Sequence, residues 1–457
     1  MSDRDRTLFE GCAVHRHLKK AGLVVLLLGL LLHSLAEAAP LGRRAEMENG
    51  LTLLVAERPT LPMVTVQVLL KTGSVLEPKD KSGLAHLTAA LLPLGTVSRT
   101  APEISEAIEF VGGSLNADAS WDSSSLSLTV LKKDLDMGMA LLADVLLHPA
   151  FRETEIARKV RELKGRIRQK QEDPGTVARE TFAATLFGDH PYGRPVEGTE
   201  GSLDRITRQD LVDFHQRYYV PNNSIMVAGG DVTLEELKGY VQKYLKAWAR
   251  GSVGPVKAAS GAPPRRRQVV KIDRGVTQAN IVWGDIGIAR ENPDYYALSV
   301  MNQILGGGGL TSRLMRSIRE KQGWAYDVHS ALGARRFPGP FLVALQTKNE
   351  TASPAIEEVL KQIREIRNTG VTEEELEEAK GFLTGSFPLR FDTNQDAVGL
   401  LAGMELYGLG MDYPERYPVI IKAVTRDDVL RVARKYLHPD RGVLVVIADP
   451  EKAKLPF

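Results

Sequence analysis

At 457 residues the chain is longer than one ordinary core, and its length sets an expectation of roughly two to three domains, with two large ones as the simplest division. Its composition, 43% hydrophobic and 25% charged, is that of a globular protein, and a net charge of +2 argues against nucleic acid as a partner. The only cysteine is Cys12, near the start, so the body of the chain has neither a disulfide nor a thiol nucleophile, which excludes cysteine-peptidase chemistry.

Taken in chain order, Arg16, Lys19 and Lys20 precede an apolar run from Ala21 to Leu32, followed by Ala36-Glu37-Ala38-Ala39. That order is a secretory signal peptide over residues 1–39, with cleavage expected near Ala38. About a dozen apolar residues fall short of the roughly twenty that a membrane span needs. The expected location is therefore outside the cytoplasm, periplasmic or extracellular, with no membrane span after signal removal. The segment carries five Lys/Arg and four Asp/Glu, so its loss changes the net charge from +2 to +1 and removes Cys12.

Strands are predicted at Leu51–Ala56, Val64–Leu70 and Ser124–Val130, a helix from Gly83, and a long charged helix over Glu153–Gln171. Residues 206–231 repeat without gaps as residues 424–449: Thr207/Thr425, Arg208/Arg426, Asp210/Asp428, Tyr218/Tyr436, Pro221/Pro439, Val227/Val445 and Asp231/Asp449 coincide. Each copy reads as a Thr-capped amphipathic helix, a Pro-Asn or Pro-Asp turn and an apolar strand. The predicted fold class is α+β, in two homologous halves over residues 40–250 and 268–457, each a sheet covered by helices. Residues 251–267, rich in Gly, Ala, Ser, Pro and Arg, read as the linker. Arg265, Arg266 and Arg267 read as solvated charges at its end, and Glu373–Lys380 as the solvated face of a helix.

The segment Ser82-Gly83-Leu84-Ala85-His86-Leu87-Thr88-Ala89-Ala90, running on to Leu94-Gly95-Thr96, resembles the active-site helix of the pitrilysin/insulinase-like zinc peptidases. That helix carries His-x-x-Glu-His, since two histidines four apart share a face and grip one zinc while the glutamate activates its water. Here the first histidine is His86, but Ala89 stands at the base position and Ala90 at the second histidine. The resemblance implies a third ligand as well, a glutamate in a Glu-Glu-Ile stretch shortly before an Asp-x-Pro-like turn; counting back from Pro174 to Ile167 puts that stretch on Gly165 and Arg166, which cannot ligate zinc as a carboxylate would. Glu162 lies about one helical turn away. The metal positions His86, Ala89, Ala90 and Arg166 are thus degenerate, and no metal is expected in this chain. His86 is read as a core histidine satisfied by a neighbouring backbone carbonyl. The stretch Asp189-His190-Pro191-Tyr192-Gly193-Arg194-Pro195 resembles the family's turn after the third-ligand helix and supports the match, not a mechanism.

In the second half, Leu305-Gly306-Gly307-Gly308-Gly309-Leu310-Thr311-Ser312-Arg313-Leu314 and Ile318-Arg319-Glu320-Lys321-Gln322-Gly323-Trp324-Ala325-Tyr326 resemble the same family's C-terminal signature. The glycine run is similar to the loop of the non-catalytic subunit in heterodimers of the mitochondrial processing peptidase type. The resemblance implies that Arg319 and Tyr326 face a zinc site from the opposite domain, where a hydroxyl and a guanidinium stabilise charge growing on a peptide carbonyl oxygen. It also makes Gly306, Gly307, Gly308 and Gly309 substrate-binding positions, where a peptide backbone could approach closely. Two structural alternatives stand beside this: Arg319 as an ion-pair partner of Glu320 or Glu350, and Tyr326 as a core residue with a wet tip. Phe110–Ala117, containing Asn116, resembles the turn into a substrate-binding edge strand that a peptide could extend; an ordinary hairpin is the alternative.

The implied function is a non-catalytic subunit that gives Arg319 and Tyr326 to a homologous, zinc-bearing partner chain, the two closing like a clam shell on oligopeptide substrates. The alternative is a stand-alone peptide-binding or scaffold protein of the same fold. A homodimeric peptidase rescued by unusual ligands is the weakest reading, because Ala89 leaves no base.

Overall fold

The computed structural model describes residues 40–256 and 264–455. The signal segment, residues 1–39, lies outside the described residues. Two sheets organise the described residues. The first holds β1 (Arg43–Glu46), β2 (Thr52–Glu57), β3 (Met63–Leu70), β4 (Ser114–Ala119), β5 (Ser124–Leu131) and β6 (Ser224–Gly230), in the order β1-β2-β6-β3-β5-β4. The second holds β7 (Arg267–Asp273), β8 (Gln278–Ile286), β9 (Ala325–Leu332), β10 (Pro340–Lys348) and β11 (Gly442–Ala448), in the order β7-β11-β8-β10-β9.

Leaving β1 aside, the two orders are the same. β2 runs parallel to β6 as β7 runs parallel to β11, and the remaining neighbours are antiparallel in both sheets. The repeated segment explains the match. Its strands, Ser-Ile-Met-Val-Ala-Gly-Gly in β6 and Gly-Val-Leu-Val-Val-Ile-Ala in β11, are buried at every residue, as an unbroken apolar run requires of a strand covered on both faces. β5 alternates Leu inward with Ser or Thr outward, so only one of its faces enters the core. The strand at the end of the expected linker begins at Arg267 itself, paired with Gly442 of β11.

The helices that shape the site are α1 (Leu84–Leu91), α2 (Leu135–Leu147), α3 (Glu153–Glu172), α4 (Pro174–Phe187), α5 (Arg208–Tyr218), α6 (Ala352–Thr369), α7 (Glu373–Gly385), α8 (Asn394–Leu406) and α9 (Arg426–Tyr436). The repeat's caps form as expected: Thr207 accepts from Asp210 N and Thr425 from Asp428 N, with the aspartates reaching back to the cap amides. Each such cap is worth about 1 kcal/mol. The Glu373–Lys380 run is not purely a solvated face. Glu375 is half-buried and pairs bidentately with Arg313, at 2.7 and 2.6 Å, which ties α7 to the glycine-rich segment.

The pairing of helices with sheets is reciprocal. α4 and α8 occupy equivalent places, each the third of these helices after its half's β5 or β10, yet each covers the other half's sheet. α4 lies on β8 and β11, with Phe182 over Gly284; a Cβ on Gly284 would sit 2.7 Å from the Phe182 ring. α8 lies on β2, β3 and β6, where a Cβ on Gly229 would sit 2.9 Å from Val398. Fully burying one such side chain contributes roughly 1.5–3 kcal/mol, so this exchange stabilises the contact between the halves by far more than surface ion pairs could.

Candidate functional site

The helix that resembles a zinc helix is built with care for its start. Glu77, buried, accepts from the amides of Gly83 at 3.2 Å and Ala85 at 2.7 Å, satisfying donors that the first turn of α1 leaves open. Burial pushes its carboxyl up to about 8. Gly83 has φ +97°, and a Cβ there would strike the carbonyl oxygen of Glu197 at 2.8 Å, so only glycine makes this turn.

Past that turn, His86 meets side chains, not the backbone carbonyl expected from the sequence. Arg166 Nη2, from α3, lies 3.4 Å from His86 Nε2, and Asp118 Oδ1, from β4, lies 3.2 Å from His86 Nδ1. A guanidinium only donates, so Nε2 is the acceptor and the proton sits on Nδ1, facing Asp118. Burial pulls the imidazole below its ordinary value; Asp118 and Glu197 oppose this and Arg166 adds to it. Glu197 completes the cluster, 3.6 Å from Arg166 Nε and 2.7 Å from Lys170 Nζ. Burial alone would raise its carboxyl, but Lys170, Arg166 and His86 outweigh that and hold it below its ordinary value.

These residues do not fit a zinc ion. Ala89 is fully buried in the apolar core, Ala90 offers a methyl group, and the imidazole lone pair accepts from a cation. Gly165 points at open space, so Arg166 is the residue of that pair that reaches His86. Glu162 belongs to the outer face of α3, paired with Lys159 at 2.8 Å. Among the described residues no three His, Cys, Asp or Glu side chains converge to hold a metal. Asp118 and Glu197 were not singled out from the sequence. The signal for Asp118 was available, since it shares a strand face with Asn116 two residues before it.

Arg319 and Tyr326 are brought together. The Arg319 guanidinium carbon lies 5.0 Å from the Tyr326 ring centroid, within cation–π range. Arg319 sits in a π-helical segment, Met315–Lys321, closed by Gly323 at φ +63°; Gly323 N donates to Arg319 O and Trp324 N to Ile318 O. Tyr326 owes its direction to a β-bulge: Gln346 of β10 faces Asp327 and Thr347 faces Ala325, which leaves Tyr326 unpaired. The alternation of β9 breaks there, and Tyr326 is 84% exposed on the edge strand of the second sheet. It is not a core residue. Among the described residues Arg319 forms no ion pair with Glu320 or Glu350, and neither it nor Tyr326 contacts the His86 cluster.

The four glycines divide into two kinds. A Cβ on Gly306 would meet Ser330 N and Oγ at 2.6 Å, one on Gly307 would meet Asn302 Nδ2 at 2.5 Å, and one on Gly308 would meet Gln303 O at 2.6 Å. Their side chains are excluded by the chain's own atoms. Gly309, at φ +58°, faces open space. Asn116 is exposed on β4, the edge strand of the first sheet, which pairs with β5 alone.

The segment holding His86 and the segment holding Tyr326 correspond to two family models. Residues 52–200 match the insulinase peptidases (peptidase family M16), and residues 205–383 match the peptidase M16 inactive domain. An uncharacterized zinc protease of Mycobacterium tuberculosis is 31% identical over 430 residues, covering 92% of this chain and 96% of that one. The chain belongs to the insulinase family. A second relative in the family, an uncharacterized zinc protease of Mycobacterium leprae, is 30% identical over 426 residues, 90% of this chain and 93% of its own. The crystal structure of a peptidase M16 inactive domain from Pseudomonas fluorescens superposes with a TM-score of 0.83 at 28% identity, covering 89% of this chain and 98% of that one. A protease from Helicobacter pylori shares the fold at 22% identity, with a TM-score of 0.82 over 89% of this chain and 99% of that one. The two-half α+β architecture is therefore the insulinase-family fold. Among the described residues no helix is long and apolar enough to cross a membrane.

Proposed function

We propose that this chain is the non-catalytic subunit of a heterodimeric zinc peptidase, exported from the cytoplasm, and that Arg319 and Tyr326 complete the active site of a homologous partner. The observation that carries the reading is the placement of Tyr326: a bulge turns a tyrosine outward on an edge strand, against Arg319, and among the described residues nothing hydrogen-bonds its hydroxyl. An exposed hydroxyl beside a guanidinium is free to meet a facing active site, and a partner's site gives it a role. The metal belongs to the partner in this reading, because His86 is engaged by Arg166. The residues of this chain supply the Tyr326 hydroxyl and the Arg319 charge to the carbonyl oxygen of a bound peptide, where negative charge develops during hydrolysis. The exposed edge of β4 at Asn116 offers an oligopeptide backbone donors and acceptors in strand register.

The test is reconstitution. This chain and a homologous chain with an intact His-x-x-Glu-His helix are assayed separately and mixed, on a quenched-fluorescence peptide library, with metal content measured for each. Cleavage that requires both chains, with zinc in the partner alone, supports the proposal. Turnover by this chain alone with bound zinc overturns it. Peptide binding that no partner converts into cleavage favours the stand-alone binding protein.

A further inference from the structure

The two hairpin loops that hold equivalent places in the halves meet each other. One is the turn over residues 120–123 between β4 and β5, the other the stretch over residues 333–339 between β9 and β10. The amide of Arg336 donates to Asp122 Oδ2 at 3.0 Å, that of Phe337 to the Tyr192 hydroxyl at 3.1 Å, and the Tyr192 hydroxyl to Asp122 Oδ1 at 2.6 Å. This junction lays Arg335 on Trp121, with its guanidinium carbon 3.5 Å from the ring centroid and 5.1 Å from that of Tyr192.

Arg335 lines a cavity of about 510 Å³ between the halves, in the size range of small-ligand sites. Part of the wall is apolar: Phe182 and Phe187 from α4, and Leu342 from β10. His86, Asp118 and Arg194 line it too, and the other charges on the lining have at least one polar partner: Asp118 lies 3.2 Å from His86 Nδ1, and Arg194 donates to Pro78 O at 3.1 Å. Lys170 pairs with Glu197 at 2.7 Å, Glu180 accepts from Gln171 at 2.9 Å, and Arg179 reaches Thr176 at 3.5 Å and Asp173 at 4.0 Å. Arg335 differs. Among the described residues its guanidinium makes no hydrogen bond and no carboxylate lies within ion-pair distance; both oxygens of nearby Asp122 serve Tyr192 and Arg336. Its N–H donors are thus open to a ligand, and their planar fork matches a carboxylate bidentately.

We propose that this cavity binds the C-terminal end of a peptide, with the α-carboxylate on Arg335 and an apolar last side chain against Phe182, Phe187 and Leu342. A C-terminal residue carries both groups on one Cα, so both enter a cavity of this size through one chain exit. An internal Asp or Glu would need room for two. The site lies in this chain alone and uses neither Arg319 nor Tyr326, so its failure and the failure of the paired-subunit reading are separate results.

Fluorescence anisotropy on the full mature chain tests it, with three short N-terminally labelled peptides. One ends in Phe with a free carboxylate, one is its C-terminal amide, and one is the amide with a Glu placed inside the sequence. The free acid is expected to bind at least about tenfold more tightly than either amide, a difference that matches one lost charge-assisted contact. Arg335→Gln is expected to bring the acid down to the level of its amide. Should that variant fail to fold, the comparison of acid and amide on the natural chain still decides. Equal binding of acid and amide, binding of the Glu-containing amide as tight as the acid, or no saturable binding up to millimolar peptide overturns the proposal.

Discussion

Arg166 Nη2 lies 3.4 Å from His86 Nε2, so a side-chain cation stands on the lone pair through which the imidazole would hold a metal. The place where the resemblance to a zinc helix would put a metal is therefore occupied, not only short of ligands. A positive charge stands there, balanced by Glu197 on one side and Asp118 on the other.

If that relationship is the obstacle, reversing it should admit metal. Ala90→His with Arg166→Glu places two imidazoles one turn apart and a carboxylate opposite them, and should bind about one zinc per chain after dialysis, read by atomic emission. Either single variant should bind none. The double variant should still not hydrolyse peptides, because Ala89 leaves no base. Metal-free double variant would mean that Arg166 does not stand at the third-ligand position.

Tyr326→Phe removes one hydroxyl from a residue that is 84% exposed. Its melting temperature should match that of the parent, while kcat of the reconstituted pair falls by roughly one to three orders of magnitude. Partner affinity, measured by sedimentation, should be unchanged. An unaltered rate with an intact complex would leave the hydroxyl without a catalytic role.

Two glycine variants separate packing from function in the loop. Gly306→Ala forces a methyl to within 2.6 Å of Ser330, and should cost about 1–3 kcal/mol in urea unfolding. Gly309→Ala meets no atom and bears only the left-handed φ of +58°, about 1 kcal/mol. A fall in the activity of the pair at Gly309→Ala, larger than its stability loss explains, would assign the open glycine to substrate.

Stability should fall in acid through His215. Its Nε2 donates to Leu146 O at 2.9 Å between the rings of Phe151 and Tyr219, and burial lowers it from the ordinary 6.5 to about 4. Between those values the unfolded chain binds the proton and the native chain does not, so stability drops as pH falls through that window, by up to about 3 kcal/mol. His215→Gln removes the term, so its stability relative to the parent should improve between pH 7 and pH 4.5. Glu77, raised from 4.5 to about 8, has the opposite slope, losing stability as pH rises through its own window; the comparison of variant with parent cancels it. Parallel pH profiles for the two proteins would show that His215 is not responsible.

The two-half architecture was legible because its signals are local. The repeated cap, amphipathic helix and apolar strand at residues 206–231 and 424–449 became α5 with β6 and α9 with β11, since capping and periodicity act within a dozen residues. The resemblance of the Gly83–Ala90 segment to a zinc helix rests on signals equally local, and a helix does start there, at Leu84.

What tertiary structure alone decided is which distant surfaces meet. Nothing local in α4 says whose sheet it covers, and it covers the other half's. Motif spacing picked out Tyr326, but its exposure comes from a bulge set by the register of β10, which no residue of β9 encodes. The same holds for Arg166 on His86, eighty positions apart, and for Arg335 on Trp121. Long-range contacts are fixed by the shape of packed layers, whereas the chain's own pattern fixes only which face of each element turns inward.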